Sequence, residues 1–204
     1  HFIFNSMNSI KSLIQENRIE ESIVYLTTFS KLMRTLINNS DKKEITLFDE
    51  IETCKLYLQL ESMRFDEKFT YEVNVAENID LKSVQVPALI IQPFIENAIN
   101  HGLINKIGEK RFHISIKEND DDSLLCSIED NGIGRDAAQL IKQKNLSSVL
   151  HESKAISIVQ ERLELLQQKT GKKAGFDIED LFENGKPSGT RVHIIIPYYT
   201  KEET

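Results

Sequence analysis

Cysteine is scarce. Cys54 and Cys126 are the only two, and they stand in no metal-ligand spacing. That argues against a disulfide scaffold or a structural zinc site and fits a reducing compartment. Basic charge is short as well, with 25 Lys and Arg against 32 Asp and Glu and a net charge of -7. Such a balance argues against nucleic acid as a partner, which would call for a basic face. It leaves open an anionic ligand held by backbone N–H groups and a metal. No apolar run approaches the ~18 residues that span a bilayer. Glycine and proline are missing from residues 1–67, and all 8 Gly and 4 Pro come later. What is present is ample apolar material: 40% of 204 residues, enough to bury a core in one large domain or two modest ones. The chain opens on His1 rather than Met, with an amphipathic pattern already running. It is therefore expected to be part of a longer protein, any membrane or sensor segment lying upstream.

The Gly/Pro divide predicts a helical region over 1–67 and a mixed region over 68–204. Ile3, Met7, Ile10 and Ile14 recur at steps of four and three, the spacing of a coiled-coil seam. The polar stretch Gln15 to Arg18 should interrupt that helix. Ile23, Leu26, Phe29, Met33 and Leu36 or Ile37 mark a second, and Asn38 to Asp41 reads as a loop. Thr46, followed by Asp49 and Glu50, resembles a capped helix start leading to Ile51, Cys54, Leu58 and Phe65. Such broad apolar faces need a partner, either the second region or another copy of the chain. Beyond residue 68 the period changes. Phe69 to Val75, Phe112 to Lys117, Leu124 to Ile128, Phe176 to Phe182 and Arg191 to Ile196 read as strands. Helices are expected from Pro87 to about His101, Arg135 to Lys144 and Lys154 to Gln168. This order predicts an α+β fold, a mixed sheet with helices on one face.

Three segments carry candidate chemistry. In Gln92 to Gly102, the residues Glu96, Asn97, Asn100 and His101 cluster on the side opposite Ile91, Phe94, Ile95, Ala98 and Ile99. Asn is a mediocre helix former. Two of them in an Ile-rich helix read either as a solvated polar face or as oxygen ligands for a hard cation with phosphate oxygens. In Glu129 to Gly134, Asn131-Gly132 is a hairpin signal, but a helical pattern comes after it. Asp130 continues the alternation of Leu124, Cys126 and Ile128, so it should point toward the core, where a carboxylate needs a fixed donor such as a purine amine. Gly132 and Gly134 would let the backbone approach a ligand. In Ser188 to Pro197, Gly189-Thr190 reads as the entry to a strand that Pro197 ends.

In order and spacing these segments resemble the N box and the first and last glycine boxes of the Bergerat-type ATP-binding fold of gyrases, chaperones, histidine kinases and MutL-type ATPases. The N-terminal run His1-Phe2-Ile3-Phe4-Asn5-Ser6-Met7-Asn8-Ser9-Ile10 resembles the phosphoacceptor box of LytS/YehU-type sensor histidine kinases. Leu32-Met33-Arg34, Tyr57-Leu58, Arg64-Phe65 and Gln92-Pro93-Phe94-Ile95-Glu96-Asn97-Ala98 fit that family too. The resemblance implies a helical dimerisation and histidine phosphotransfer region over 1–67 and an ATP-binding catalytic α/β sandwich over 68–204. It implies ATP and Mg²⁺ as cofactors, a response regulator receiver domain as partner, a homodimer, and the cytoplasmic side of a membrane sensor as location. By the same resemblance His1 is the phosphate acceptor and Asn97 the Mg²⁺ ligand. Asn100 and His101 face the phosphates, and Asp130 takes the adenine, with Gly132 and Gly134 allowing close approach. Thr190 supports Asp130 or a water. Phe2 stands where many other histidine kinases carry an acid, so Glu96 is either the base or a solvated surface acid. Asn5 either holds a water for dephosphorylating the regulator, orients His1, or satisfies a helix end. The lid departs from the family pattern at Ser153, Ala155 and Ile158, where both expected glycines and an Asn are missing. That departure keeps a rival alive: a catalytically weak ATP-responsive dimerisation module or regulator phosphatase.

Overall fold

The N-terminal helices obey the apolar spacing. In the computed structural model, which describes residues 2–65, 69–120, 123–144 and 149–200, α1 covers Phe2–Gln15 and α2 covers Ile19–Ser40. His1 lies outside the described residues. The expected interruption is present: Asn17 takes φ 60, a left-handed value that Asn tolerates better than most residues. α2 runs on through Asn38–Ser40, so the expected loop starts only at Asp41. Asn39 is buried there, and its side-chain carbonyl accepts from the Lys42 ammonium at 3.2 Å, which lets the helix keep an otherwise poor helix former. The α1 seam divides between two faces. Ile10 packs on the core with Phe2 and Leu13, while Ile3, Met7 and Ile14 remain exposed.

Helix α3, Leu47–Arg64, starts as its cap predicts. The Thr46 hydroxyl accepts from the Asp49 N–H at 3.1 Å and donates to the Asp49 carboxylate at 2.8 Å. Just before it, β1 (Glu44–Thr46) pairs antiparallel with β3 (Val84–Pro87), which pairs antiparallel with β8 (Tyr199–Thr200). Pro87 therefore closes a strand and opens no helix. The helix begins later, as α4 over Gln92–Asn97, and the proline in its first turn is Pro93. It continues as a π-helical turn, Ala98–Leu103.

The main sheet has five strands in the order β2-β4-β5-β7-β6, comprising β2 Phe69–Val75, β4 Lys110–Asp120, β5 Ser123–Asp130, β6 Gly175–Glu183 and β7 Lys186–Pro197. β2 and β4 are parallel and the other pairs antiparallel, so the sheet is mixed as expected. One face is apolar, with Phe112, Ile114, Ile116, Leu124, Cys126, Ile128, Ile194 and Ile196 all buried. The other is polar: Ser127 meets His193 at 2.8 Å, and Arg191 pairs with Glu129 and Glu179. This alternation fixes which face the helices cover. The π-turn packs on β5 and β7, and α6 (Val149–Thr170) packs on β6. Helix α5, Arg135–Lys144, packs on the π-turn. One apolar cluster runs from Leu13 to Ile196, so the helical segment and the sheet share a core. Among the described residues no helix is long and apolar enough to cross a membrane.

Candidate functional site

Asp130 ends β5 on the apolar face and is 3% exposed. A carboxylate there needs donors. The Gly132 N–H supplies one at 2.7 Å, and the Thr190 hydroxyl, opposite Asp130 in the β5–β7 register, supplies another. Burial still dominates and pushes the Asp130 carboxyl up to about 6. Glycines close the wall around it. A Cβ on Gly102 would lie 2.6 Å from Asp130 Oδ1. One on Gly132 would lie 2.5 Å from the Gly102 backbone, and one on Gly189 would lie 1.9 Å from the Asp130 carbonyl oxygen. Gly189 has φ 144 and sits inside β7, between Leu181 and the Asp130 neighbourhood, so Gly189-Thr190 is strand interior where a strand entry was expected.

A cavity of about 310 Å³ opens beside this carboxylate. Asn97, His101, Asp130, Gly134 and Thr190 all line it, so three distant sequence segments meet in one place. Gly134 takes φ 79 there, a conformation that glycine adopts without penalty. Apolar walls come from Phe94, Ala98, Ala138, Ile156, Ile178 and Val192. Phe94 is fixed edge-on against Phe176, with centroids 4.9 Å apart. Arg135 borders the cavity and is held by a two-pronged pair with Asp180, at 2.7 and 2.6 Å. A mostly apolar cavity with a buried acceptor in its lining suits an aromatic ring bearing an N–H donor.

Glu96 and Asn100 do not line the cavity. The Glu96 carboxylate accepts from Gln92 at 3.2 Å, and burial raises its pKa. It feels Glu61 and Tyr57 of α3, and Tyr57 stacks on Phe2 at the start of α1 with centroids 5.0 Å apart. Adjacent residues of α4 thus serve two sides, Asn97 the cavity and Glu96 the face toward α3. Asn5 is exposed and borders a shallow surface groove with Asn8, Ser9, Ser12 and Arg64. Ser153, Ala155 and Ile158 fall within α6. Among the described residues no cluster of three or more His, Cys, Asp or Glu side chains is arranged for a metal ion. Asn97 offers one amide oxygen, so a cation there would complete its shell from water and ligand oxygens, as Mg²⁺ does. Reading the sequence missed Gly102 as a site residue: after a helix expected to end near His101 a glycine reads as a C-cap, and only the π-helical continuation packs it against Asp130.

Residues 1–69 match the family model described as histidine kinase. Over 205 aligned residues and the whole of this chain, the sensor histidine kinase/phosphatase LytS of Staphylococcus aureus strain MRSA252 is 29% identical. Over its whole length the chain is thus similar to a LytS-type sensor histidine kinase. It spans about 33% of the length of that relative. Among solved structures it is similar to the mycobacterial sensor histidine kinase MprB, at 16% identity and a TM-score of 0.49, covering 77% of this chain and 97% of that one. It is also similar to the histidine kinase domain of the Erythrobacter litoralis EL346 blue-light activated histidine kinase, at 15% identity and a TM-score of 0.49, covering 90% and 82%.

Proposed function

We propose that this chain is the transmitter part of a two-component sensor histidine kinase, with residues 1–67 as the dimerisation and phosphotransfer region and 68–204 as the ATP-binding region. The observation that carries this reading is the meeting of Asn97, His101, Asp130, Gly134 and Thr190 on one glycine-walled cavity. The donor set fits an adenine nucleotide. Asp130, held by Gly132 and Thr190, would accept from the exocyclic amine. Phe94, Ile178 and Val192 would flank the ring. Asn97 would hold Mg²⁺, with His101 toward the phosphates, while Asn100 stays outside the cavity. Bound Mg-ATP would supply an activated phosphoryl group, and His1 would accept it, since a neutral imidazole is a competent nucleophile near neutral pH. Glu96 would take the proton from the imidazole or orient it, a role supported by its place on α4 near Tyr57, on which Phe2 stacks. The phosphoryl group would then pass to a receiver-domain aspartate of a response regulator. Asn5 would serve the reverse reaction, holding a water against the regulator. The LytS relative is a sensor histidine kinase/phosphatase.

The test is incubation of the full chain with γ-labelled ATP and Mg²⁺, wild type beside His1→Gln. Label on the wild type alone is the expected result. Equal label on both, or on neither, overturns autophosphorylation of His1.

Assembly is the second expectation. Ile3, Phe4, Met7 and Ile14 on α1 and Ile19, Ile23 and Leu26 on α2 are all exposed, apolar side chains that favour a partner surface over water. A two-fold homodimer would cover them. Sedimentation at tens of micromolar should give a dimer, and Met7→Glu should shift it toward monomer. A wild-type monomer at that concentration would count against the reading.

A further inference from the structure

We propose that Glu50 is a positioning residue for the nucleotide cavity, tying the helical segment to the cavity helix by clamping the turn between them. The proposal rests on the nucleotide reading above. Glu50 lies in the first turn of α3, where an acid normally faces solvent and complements the helix dipole. Here it is 0% exposed. Its two oxygens accept separately from the Leu89 N–H and the Ile91 N–H, each at 2.8 Å. The turn it grips is an awkward one. Leu89 takes φ 56, a left-handed value unusual for a bulky side chain, which persists only where surrounding contacts impose it. A second side chain holds the same turn: Arg162 of α6 donates to the Ala88 carbonyl at 2.9 Å.

Immediately beyond the turn lies the helix that builds the cavity. α4 begins at Gln92 with no side-chain cap of its own, and it carries Phe94 and Asn97 into the lining, with His101 in the π-turn beyond. The turn is therefore the only stretch of chain between the β3 strand and these residues, and α3 and α6 both fix it. A shift of α3 against the sheet would move Leu89 and Ile91, and Asn97 with them. An apolar residue at position 50 would fill the space but leave two buried N–H groups without an acceptor.

The test compares Glu50→Gln with wild type in the full chain, reading amide hydrogen exchange and affinity for the Mg²⁺ complex of a non-hydrolysable ATP analogue. Glutamine keeps the shape but turns a donor toward one of the two amides. Faster exchange at Leu89 and Ile91 and at least tenfold weaker binding are expected. Leu60→Ala, a buried change in the same helix away from the turn, should lower the melting temperature and leave affinity within twofold. Arg162→Met loosens the turn at the Ala88 carbonyl, so it decides the matter should Glu50→Gln fail to fold. It should weaken binding severalfold, and Arg162→Lys should restore much of it. Wild-type affinity in Glu50→Gln or in Arg162→Met overturns the proposal, as does an equal loss in Leu60→Ala. A wild-type chain that binds no analogue overturns the nucleotide reading itself, and this inference with it.

Discussion

Gly132→Ala is expected to abolish binding of adenine nucleotides. A methyl group at this position has nowhere to go. It would lie 2.5 Å from Asp130 Oδ1 and 2.5 Å from both the Cα and the carbonyl carbon of Gly102. Two of those three atoms are backbone, so no rotamer change relieves the contact. The π-turn must back away from β5, and it takes His101 with it. The Ile133 N–H, which donates to the Gly102 carbonyl at 3.2 Å, loses its acceptor as the two loops part. The Gly132 N–H, the backbone donor that fixes the Asp130 carboxylate, moves too. The cavity floor and one wall separate together, so affinity should fall by about a hundredfold or more, equivalent to ~3 kcal/mol. Overpacking of this kind also costs ~1–3 kcal/mol of stability. Gly175→Ala is the matched control, because a Cβ there meets nothing within 4 Å. Calorimetry with an ATP analogue checks both variants, with circular dichroism to confirm the fold. Unchanged affinity in a folded Gly132→Ala chain would remove this cavity from nucleotide recognition.

The cavity's back wall was legible because strand alternation is a strong signal. Leu124, Cys126 and Ile128 are buried, and Asp130 continues the same parity, so its burial follows from the period of two. The Asn17 interruption and the Thr46 cap were legible for similar reasons, each resting on a local rule that tertiary packing does not override. The three short strands were not. β1, β3 and β8 have 3, 4 and 2 residues, too few to display a period, and they exist because they pair with one another. Pro87 misled for that reason. Proline suits a first helical turn and equally suits the end of a strand, and only the pairing with Glu44 decides between them.

Two further features needed the third dimension. Asn131-Gly132 makes no hairpin, as the helical pattern after it already indicated, but the close packing of Gly132 against Gly102 shows only in the fold. The hairpin between β6 and β7 is made by Asn184-Gly185, with φ 52 and 76, flanked by the Glu183–Lys186 pair. Glu50 is the other case. A first-turn glutamate soon after an N-cap threonine reads as a helix-end acid, and nothing local says that it turns inward. The donors to its carboxylate lie about forty residues away, at Leu89 and Ile91. Long-range satisfaction of buried N–H groups leaves no periodic trace in a sequence.

Buried carboxyls should make the fold more stable at pH 5.5 than at pH 8. Burial pushes Glu50 and Glu61 up to about 7 and Asp130 up to about 6. In the unfolded chain all three would ionise near their ordinary values. The folded chain therefore holds more protons through this window, and its stability falls as pH rises through about 6 to 7. Their contribution is complete below the ordinary carboxylate range and lost once the folded groups ionise. Glu61 is the sharpest probe. It is 1% exposed and faces Arg64 at 2.6 Å, yet neither the Glu61 Oε2 nor the Arg64 Nη2 finds an aligned hydrogen bond. A single cation without that geometry does not repay the loss of hydration, so burial wins over the ion pair. Glu96 nearby adds repulsion in the same direction. Glu61→Gln removes the titration while keeping the shape. Relative to wild type it should gain stability from pH 5.5 to pH 8, with a full linkage effect on the order of 3 kcal/mol. The exposed acids with lowered values, Glu16, Glu21, Asp80 and Asp180, titrate below this window and do not mask it. Chemical denaturation at the two pH values measures the difference. A gap between variant and wild type that stays constant, or narrows toward pH 8, would mean that Arg64 holds Glu61 ionised and that the ion pair outweighs burial.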